Sequence, residues 1–207
     1  MALVTGQALL QCAAERIVAK HFDRVGMSDV TVVYPWPGTS NHGGVDLTYR
    51  TAGRTVKAKV KADPYFGRDA LKTGNREFSF YRPEGGNYGF EAIANAATRE
   101  PGWIFNSEAD ELVYYLCAIA HCEDEVAALM NESDEVFFSE LRVDRDELHI
   151  LPMRELRAWF ESHFEEYTPR PVMLSGHSAW FRFVPRDIVD SAVAGVRVTT
   201  SVFSRLA

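Results

Sequence analysis

Cysteine is scarce in this chain. Three residues in 207, Cys12, Cys117 and Cys122, are too few and of the wrong parity for a disulfide framework. The run CAIAHC sets His121 four residues after Cys117, a shared face if the segment is helical. A zinc site needs further ligands, however, and none stands nearby at a recognisable spacing. These thiols therefore read as residues of a core helix. Long apolar runs are missing as well. Nothing approaches the ~20 residues that span a bilayer, and the first 22 residues lack a basic leader, their apolar positions being interrupted by Gln and Glu. The expectation is a cytoplasmic protein with no membrane partner. The two glycine pairs, Gly43-Gly44 and Gly85-Gly86, fit neither a Walker loop nor a dinucleotide fingerprint. Basic charge is not widespread either: the formal net charge is -7, which excludes a uniformly basic nucleic-acid binder.

The charge that is present is unevenly placed. Between Arg50 and Arg76 eight Lys or Arg face two acids, whereas between Glu108 and Glu166 seventeen acids face four Arg. A local basic patch beside an acidic body can still meet a polyanion. At the centre of that patch lies TVKAKVKAD, Thr55 to Asp63, with lysines at 57, 59 and 61 alternating with Val56, Ala58 and Val60. In a strand this alternation puts three ammonium groups on one face and the apolar residues on the other. VDLTYR, just upstream and joined through TAGR, completes a hairpin.

Around the hairpin, the 3.6-residue spacing of Leu9, Ala13 and Ile17 predicts a helix over 7–22, with Thr5 as N-cap. VTVVYPW predicts a strand, PGTSNHGG a loop and REFSFYR a further strand. Part of 90–97 reads as helical. NSEADELVYYLCAIAH reads as a helix entered through Ser107 with Asp110 in its first turn. EVFFSEL and ELHILPM read as strands, RELRAWFESHFEEY as an amphipathic helix, and AWFRFVP and VRVTTSVF as late strands. The order helix, strands, helix, strands, helix implies a mixed α/β fold rather than a doubly wound one. At 46% apolar and 25% charged, 207 residues suit a single domain, 1–207, with residues from about 135 onward readable as a C-terminal extension of the core.

The chemistry of the hairpin suits phosphodiesters. A carboxylate on one strand, Asp46, beside lysines on the next can hold Mg²⁺ through oxygen and support a water near the phosphate, while an ammonium stabilises the developing charge. At this point the chain resembles the PD-(D/E)xK nuclease-like superfamily. KVKAD, then TGNREFS, then PGWIFNSEADELVYY is similar to a branch whose segments run acid-Val-Lys-Thr-Asp, Thr-Gly-Asn with a later Glu, and a Gly-aromatic entry to Ser-x-Ala-Asp. The resemblance covers about 40–118. It implies a restriction-endonuclease-like mixed central sheet flanked by helices. It also implies Asp46 as first metal-binding acid, Lys61 as catalytic lysine, Asp63 as the following acid, Thr73-Gly74-Asn75 as the second element and Asp110 as the third. Glu15 stands where some members carry a helix-borne acid.

Two positions depart from the pattern. Lys59 replaces the acid expected two residues before Lys61, and Ser79 replaces the glutamate expected after Asn75. Glu77 shares the strand face of Ser79, so it could complete a Mg²⁺ site with Asp46, with Asp63 as a second candidate. Two readings stay open. One is a nuclease or catalytically degenerate relative acting on DNA or RNA, with Asp46, Lys61 and Glu77 at its centre and Lys57, Lys59 and Asn75 touching nucleic acid. The other is a non-catalytic module that binds nucleic acid or an acidic protein surface. Among other residues, His42 stands near Asp46, Trp103 is the tryptophan best placed to stack on a base, and Ser175, His177 and Ser178 form no recognisable nucleophile motif. Oligomeric state is not encoded in any pattern here.

Overall fold

The hairpin forms as its alternation dictates. In a computed structural model, which describes residues 6–33, 44–64, 86–174 and 176–206, β2 (Leu47–Thr51) and β3 (Arg54–Asp63) pair antiparallel. They follow α1 (Gly6–Arg24) and β1 (Ser28–Val32). After them come β4 (Asn87–Asn95), β5 (Glu100–Pro101), α2 (Trp103–Asn106), β6 (Glu111–Ile119), α3 (Glu123–Leu129) and α4 (Asp134–Glu140). The remainder is β7 (Val143–Pro152), α5 (Met153–His163), β8 (Pro169–Leu174), β9 (His177–Pro185), α6 (Arg186–Ala192) and β10 (Arg197–Thr200). The protein is mixed α/β, with a six-stranded mixed sheet flanked by helices. Its order is β1-β2-β3-β6-β7-β10, antiparallel except where β3 runs parallel to β6. A second sheet, β5-β4-β9-β8, is antiparallel throughout.

The central sheet is buried on both faces, and β6 shows it best. Val113, Tyr115, Cys117 and Ile119 join α1, α3 and α4 in one core. Leu112, Tyr114, Leu116 and Ala118 join Tyr88, Phe90, Trp103, Leu156 and Phe160 in the other. All nine residues of β6 are buried. This corrects the helix expected over 106–121: a strand buried on both faces shows no alternation, and its near-continuous apolar run imitates a core helix. Cys117 therefore sits in a strand and shares no helix face with His121. Cys12 is buried, Cys122 is exposed, and all three thiols are free.

Two smaller corrections have similar causes. Residues 87–95 form β4 rather than a helix. The strand expected at 135–141 is α4: the Ser133 side chain accepts from the Val136 N–H, Asp134 and Glu135 occupy the first turn, and Phe137 and Phe138 point into the core. The capping signal outweighs the β preference of Val-Phe-Phe. The strand expected at 76–82, with Thr5 and His42, lies outside the described residues.

Two polar clusters fasten the layers. Asp146 on β7 accepts from the Tyr115 hydroxyl at 2.6 Å and from the Val202 and Phe203 N–H groups at 2.9 and 2.7 Å, tying the C-terminal turn to the sheet. Between the sheets, the Tyr88 hydroxyl donates to Asp190 at 2.6 Å and lies 2.7 Å from His149 Nδ1. Glu147 and Arg186 flank the imidazole, 3.5 Å from one another.

Candidate functional site

β3 is twice as long as β2. Pairing with β2 ends at Ala58, so the outer edge of Val60 to Ala62 has no strand neighbour among the described residues. Side chains take over the ladder. The Val60 N–H donates to Asp46 Oδ2 at 2.8 Å. Gln11 accepts from the Ala62 N–H at 3.0 Å and donates to the Val60 carbonyl at 2.8 Å. Gln7 donates to the Ala62 carbonyl at 3.1 Å. The result is a polar cluster at the end of β3, here called the notch, with the α1 glutamines along its edge and the Trp103 ring beside its lysines.

Charged groups converge on this notch. The Lys59 ammonium stands 3.5 Å from Asp46 Oδ2, with both side chains only about a tenth exposed (11% and 12%). At an effective dielectric near 20 the gross attraction is on the order of 5 kcal/mol, much of it offset by desolvation. Lys59 and Lys61 lie 5.9 and 5.5 Å from the Trp103 ring centroid. Burial and the neighbouring Lys59 charge push the Lys61 amine down to about 8, against the pull of Glu91, Asp46 and Asp63. Burial pushes the Glu15 carboxyl up to about 7, helped by Asp46 and opposed by the Gln11 hydrogen bond, Lys59 and Lys61. Both groups thus titrate near neutrality, as groups at functional sites tend to do.

The walls are held close. Trp103 is buried, and its backbone N–H donates to Glu91 Oε1 at 3.2 Å. The preceding Gly102 is obligatory, since a Cβ there would stand 2.0 Å from the Glu91 carbonyl oxygen. Gly44, at φ +65°, lets the chain pass the Ser107 side chain, whose hydroxyl donates to the Gly44 carbonyl at 2.9 Å. At 5% exposed, Trp103 is a wall for the lysines and not a surface on which a base could lie, so it is a core residue like most tryptophans and not the exception its place beside Gly102 suggested.

The remaining expected residues divide. Asp46, Lys59 and Lys61 share the notch. Asp63 stands at its end, where one carboxylate oxygen accepts from the Tyr114 hydroxyl at 2.5 Å. Lys57 points away and pairs with Glu108 at 3.0 Å, so the three lysines of one face have different environments. Asp110 opens no helix. Its carboxylate accepts the Lys57 N–H at 2.8 Å and its own backbone N–H donates to the Lys57 carbonyl at 2.7 Å, which locks β3 to the start of β6. Glu77 and Asn75, with Thr73 and Gly74, lie outside the described residues. Gln7, Gln11, Glu91 and Tyr114 were not marked by the sequence, because their roles depend on where β2 stops and where β4 crosses.

The carboxylates described do not suit Mg²⁺. Among the described residues no group of three His, Cys, Asp or Glu side chains gathers at a metal-binding spacing. Asp46 already faces an ammonium, and Asp63 is engaged by Tyr114. A divalent ion favours clustered, deprotonated oxygens, whereas here a fixed cation lies beside Asp46. Elsewhere, a cavity of about 590 Å³ opens between α1, β1 and the α3–α4 turn. Its nucleophile, Cys12, has its thiol pushed up to about 12 by burial and by Glu15, and its Arg16 is engaged by Asp134. It offers less chemistry than the notch.

Compared with known protein families, curated proteins and solved structures, the chain matches none. No helix among the described residues is long and apolar enough to cross a membrane.

Proposed function

We propose that this is a nuclease-like protein of restriction-endonuclease-like architecture that binds nucleic acid through its notch, with Lys59 in the place of a metal ion. The supporting observation is the Lys59–Asp46 pair beside Lys61, whose amine is lowered to about 8, at the end of β3 that has no strand neighbour on its outer edge among the described residues. The order of elements agrees with the resemblance: a helix carrying Glu15, an acid entering β2, and the lysines on β3. Two lysines at one recess attract phosphate oxygens, and their binding releases counterions. The carboxylates keep the recess from being uniformly positive, so the phosphate must approach from the lysine side.

The alternative partner, an acidic protein surface, would use the same lysines but lacks the regular charge spacing of a polynucleotide. Anisotropy titrations with short DNA and RNA oligonucleotides across a salt series decide between them. Affinity should fall steeply with salt, and Lys59→Glu should weaken it about tenfold and flatten the slope by about one unit. No oligonucleotide binding at low salt would overturn the reading. The same variant restores the acid-x-Lys pair, so cleavage gained by Lys59→Glu in Mg²⁺ would show that the scaffold is a nuclease whose metal site Lys59 closes. Cleavage by the unaltered protein in Mg²⁺, lost in Asp46→Ala, would instead show a metal site that includes Asp46.

A further inference from the structure

The two lysines of the notch are chemically unequal in a way that phosphate binding alone does not require. Lys59 is neutralised by Asp46. Lys61, two residues along the same strand face, makes no ion pair or hydrogen bond among the described residues, and it is pressed between a second ammonium and the face of an indole. A cationic neighbour and a desolvating wall are the two devices by which proteins turn lysine into a nucleophile.

We propose that Lys61 is an imine-forming amine, and that its electrophile is the ring-opened sugar aldehyde of an abasic site in nucleic acid. This rests on the nucleic-acid reading above and names the kind of strand the notch would act on. The electrophile must combine an aldehyde with flanking phosphates, since the second ammonium, Lys59, favours an anion beside Lys61. It must also lack a bulky group next to the aldehyde, since the Trp103 ring lies 5.5 Å from the Lys61 ammonium. An abasic nucleotide meets both demands.

The ammonium of Lys59 and the indole wall both disfavour the charged form of Lys61, so its neutral amine is more available than that of an ordinary lysine. The neutral amine adds to the aldehyde carbon and water leaves, giving a protonated imine. A carboxylate then takes a proton from the adjacent sugar carbon. Glu15, held up to about 7, suits that exchange. The electron pair forms a carbon–carbon double bond and the phosphate on the next carbon departs. Water hydrolyses the conjugated imine and returns the amine. Every atom is accounted for without an oxidant, a reductant or a metal.

The test is borohydride trapping with an oligonucleotide carrying a single abasic site, in the presence of a chelator. The expected result is a covalent adduct mapping to the peptide that contains Lys61. Its yield should rise several-fold between pH 6.5 and 8.5, as the amine facing Lys59, Glu91, Asp46, Asp63 and Glu15 loses its proton. Lys61→Arg, which keeps the charge, should abolish it. Because the wild-type adduct is mapped directly, the result does not depend on a variant folding. An adduct confined to exposed amines such as Lys20 or Lys57 would overturn the inference. So would no adduct from a protein that binds the intact oligonucleotide with steep salt dependence, and in that case nucleic-acid binding stands without it. Absence of both binding and adduct would remove both.

Discussion

Asp146 and Lys61 sit on neighbouring parts of the same sheet, and the contrast between them separates architecture from chemistry. Asp146 has a donor for each need: one hydroxyl and two backbone N–H groups, all within 2.9 Å. Such a fully satisfied buried carboxylate holds a tail in place and has no capacity left for a ligand. Lys61 is its opposite, a desolvated amine beside another cation and an indole face, with no hydrogen bond or ion pair of its own among the described residues. A buried charge kept in poor surroundings costs stability, and proteins concentrate that cost where function needs it. The contrast is what sets the notch, the site of the proposed binding, apart from the better-bonded clusters.

Three substitutions break or sharpen the contrast. The largest effect belongs to Asp146→Ala, which strands three donors in the core. Urea unfolding should show a loss of about 3 to 5 kcal/mol, with oligonucleotide affinity unchanged under conditions where the variant remains folded. Lys61→Met should act in the other direction. The amine's folded value lies below its unfolded value of 10.5. Its contribution to stability is therefore fully present above 10.5 and is lost as pH falls through about 8. At pH 7 the wild-type ammonium is a net cost. The variant should gain roughly 3 kcal/mol there, with no gain above pH 10.5, and should bind oligonucleotides more weakly. A destabilised Lys61→Met at pH 7 would contradict the strained-amine picture.

The smallest effect is expected at His149. Burial alone would lower its imidazole, but hydrogen bonds to Asp190 and Glu147 outweigh burial and raise it. Its contribution is thus full below the unfolded value near 6.5 and is lost as pH rises through the raised folded value. His149→Gln should cost about 1 kcal/mol at pH 6 and less at pH 8.5. Paired denaturant titrations at the two values provide the check, and an equal cost at both would show that the imidazole acts by packing alone.

Much of the notch was legible from the chain. Alternation in 55–63 gave the hairpin and the unequal faces, and Asp46 and Lys61 do converge. Glu15 was marked as a candidate without any local signal, and it reaches the notch because α1 crosses the end of β3. What stayed hidden was hidden for physical reasons. β6 carries apolar residues on both faces, so its period could not distinguish strand from helix, and the misreading carried Asp110 and Cys117 with it. In 133–141 the Ser133 cap was readable, but two adjacent phenylalanines argued more loudly for a strand. Glu91 became a site residue only through the docking of the second sheet, and Tyr114 through the parallel pairing of β6 with β3, long-range events with no local signature. The PD-(D/E)xK resemblance remains a proposal that rests on the order of these elements.

The glutamines of α1 have a consequence of scale. Four residues of helix advance about 6.0 Å, and two residues of strand about 6.6 Å, so Gln7, Gln11 and Glu15 step along β3 almost in time with Ala62 and Val60. The helix works as a ruler laid against the strand, with two amide graduations followed by an acid. One residue inserted between Gln11 and Glu15 would turn the acid by about 100° and take it off the scale, while the amides stayed in place. The length of that interval, more than any single contact, fixes which helix residue faces the lysines.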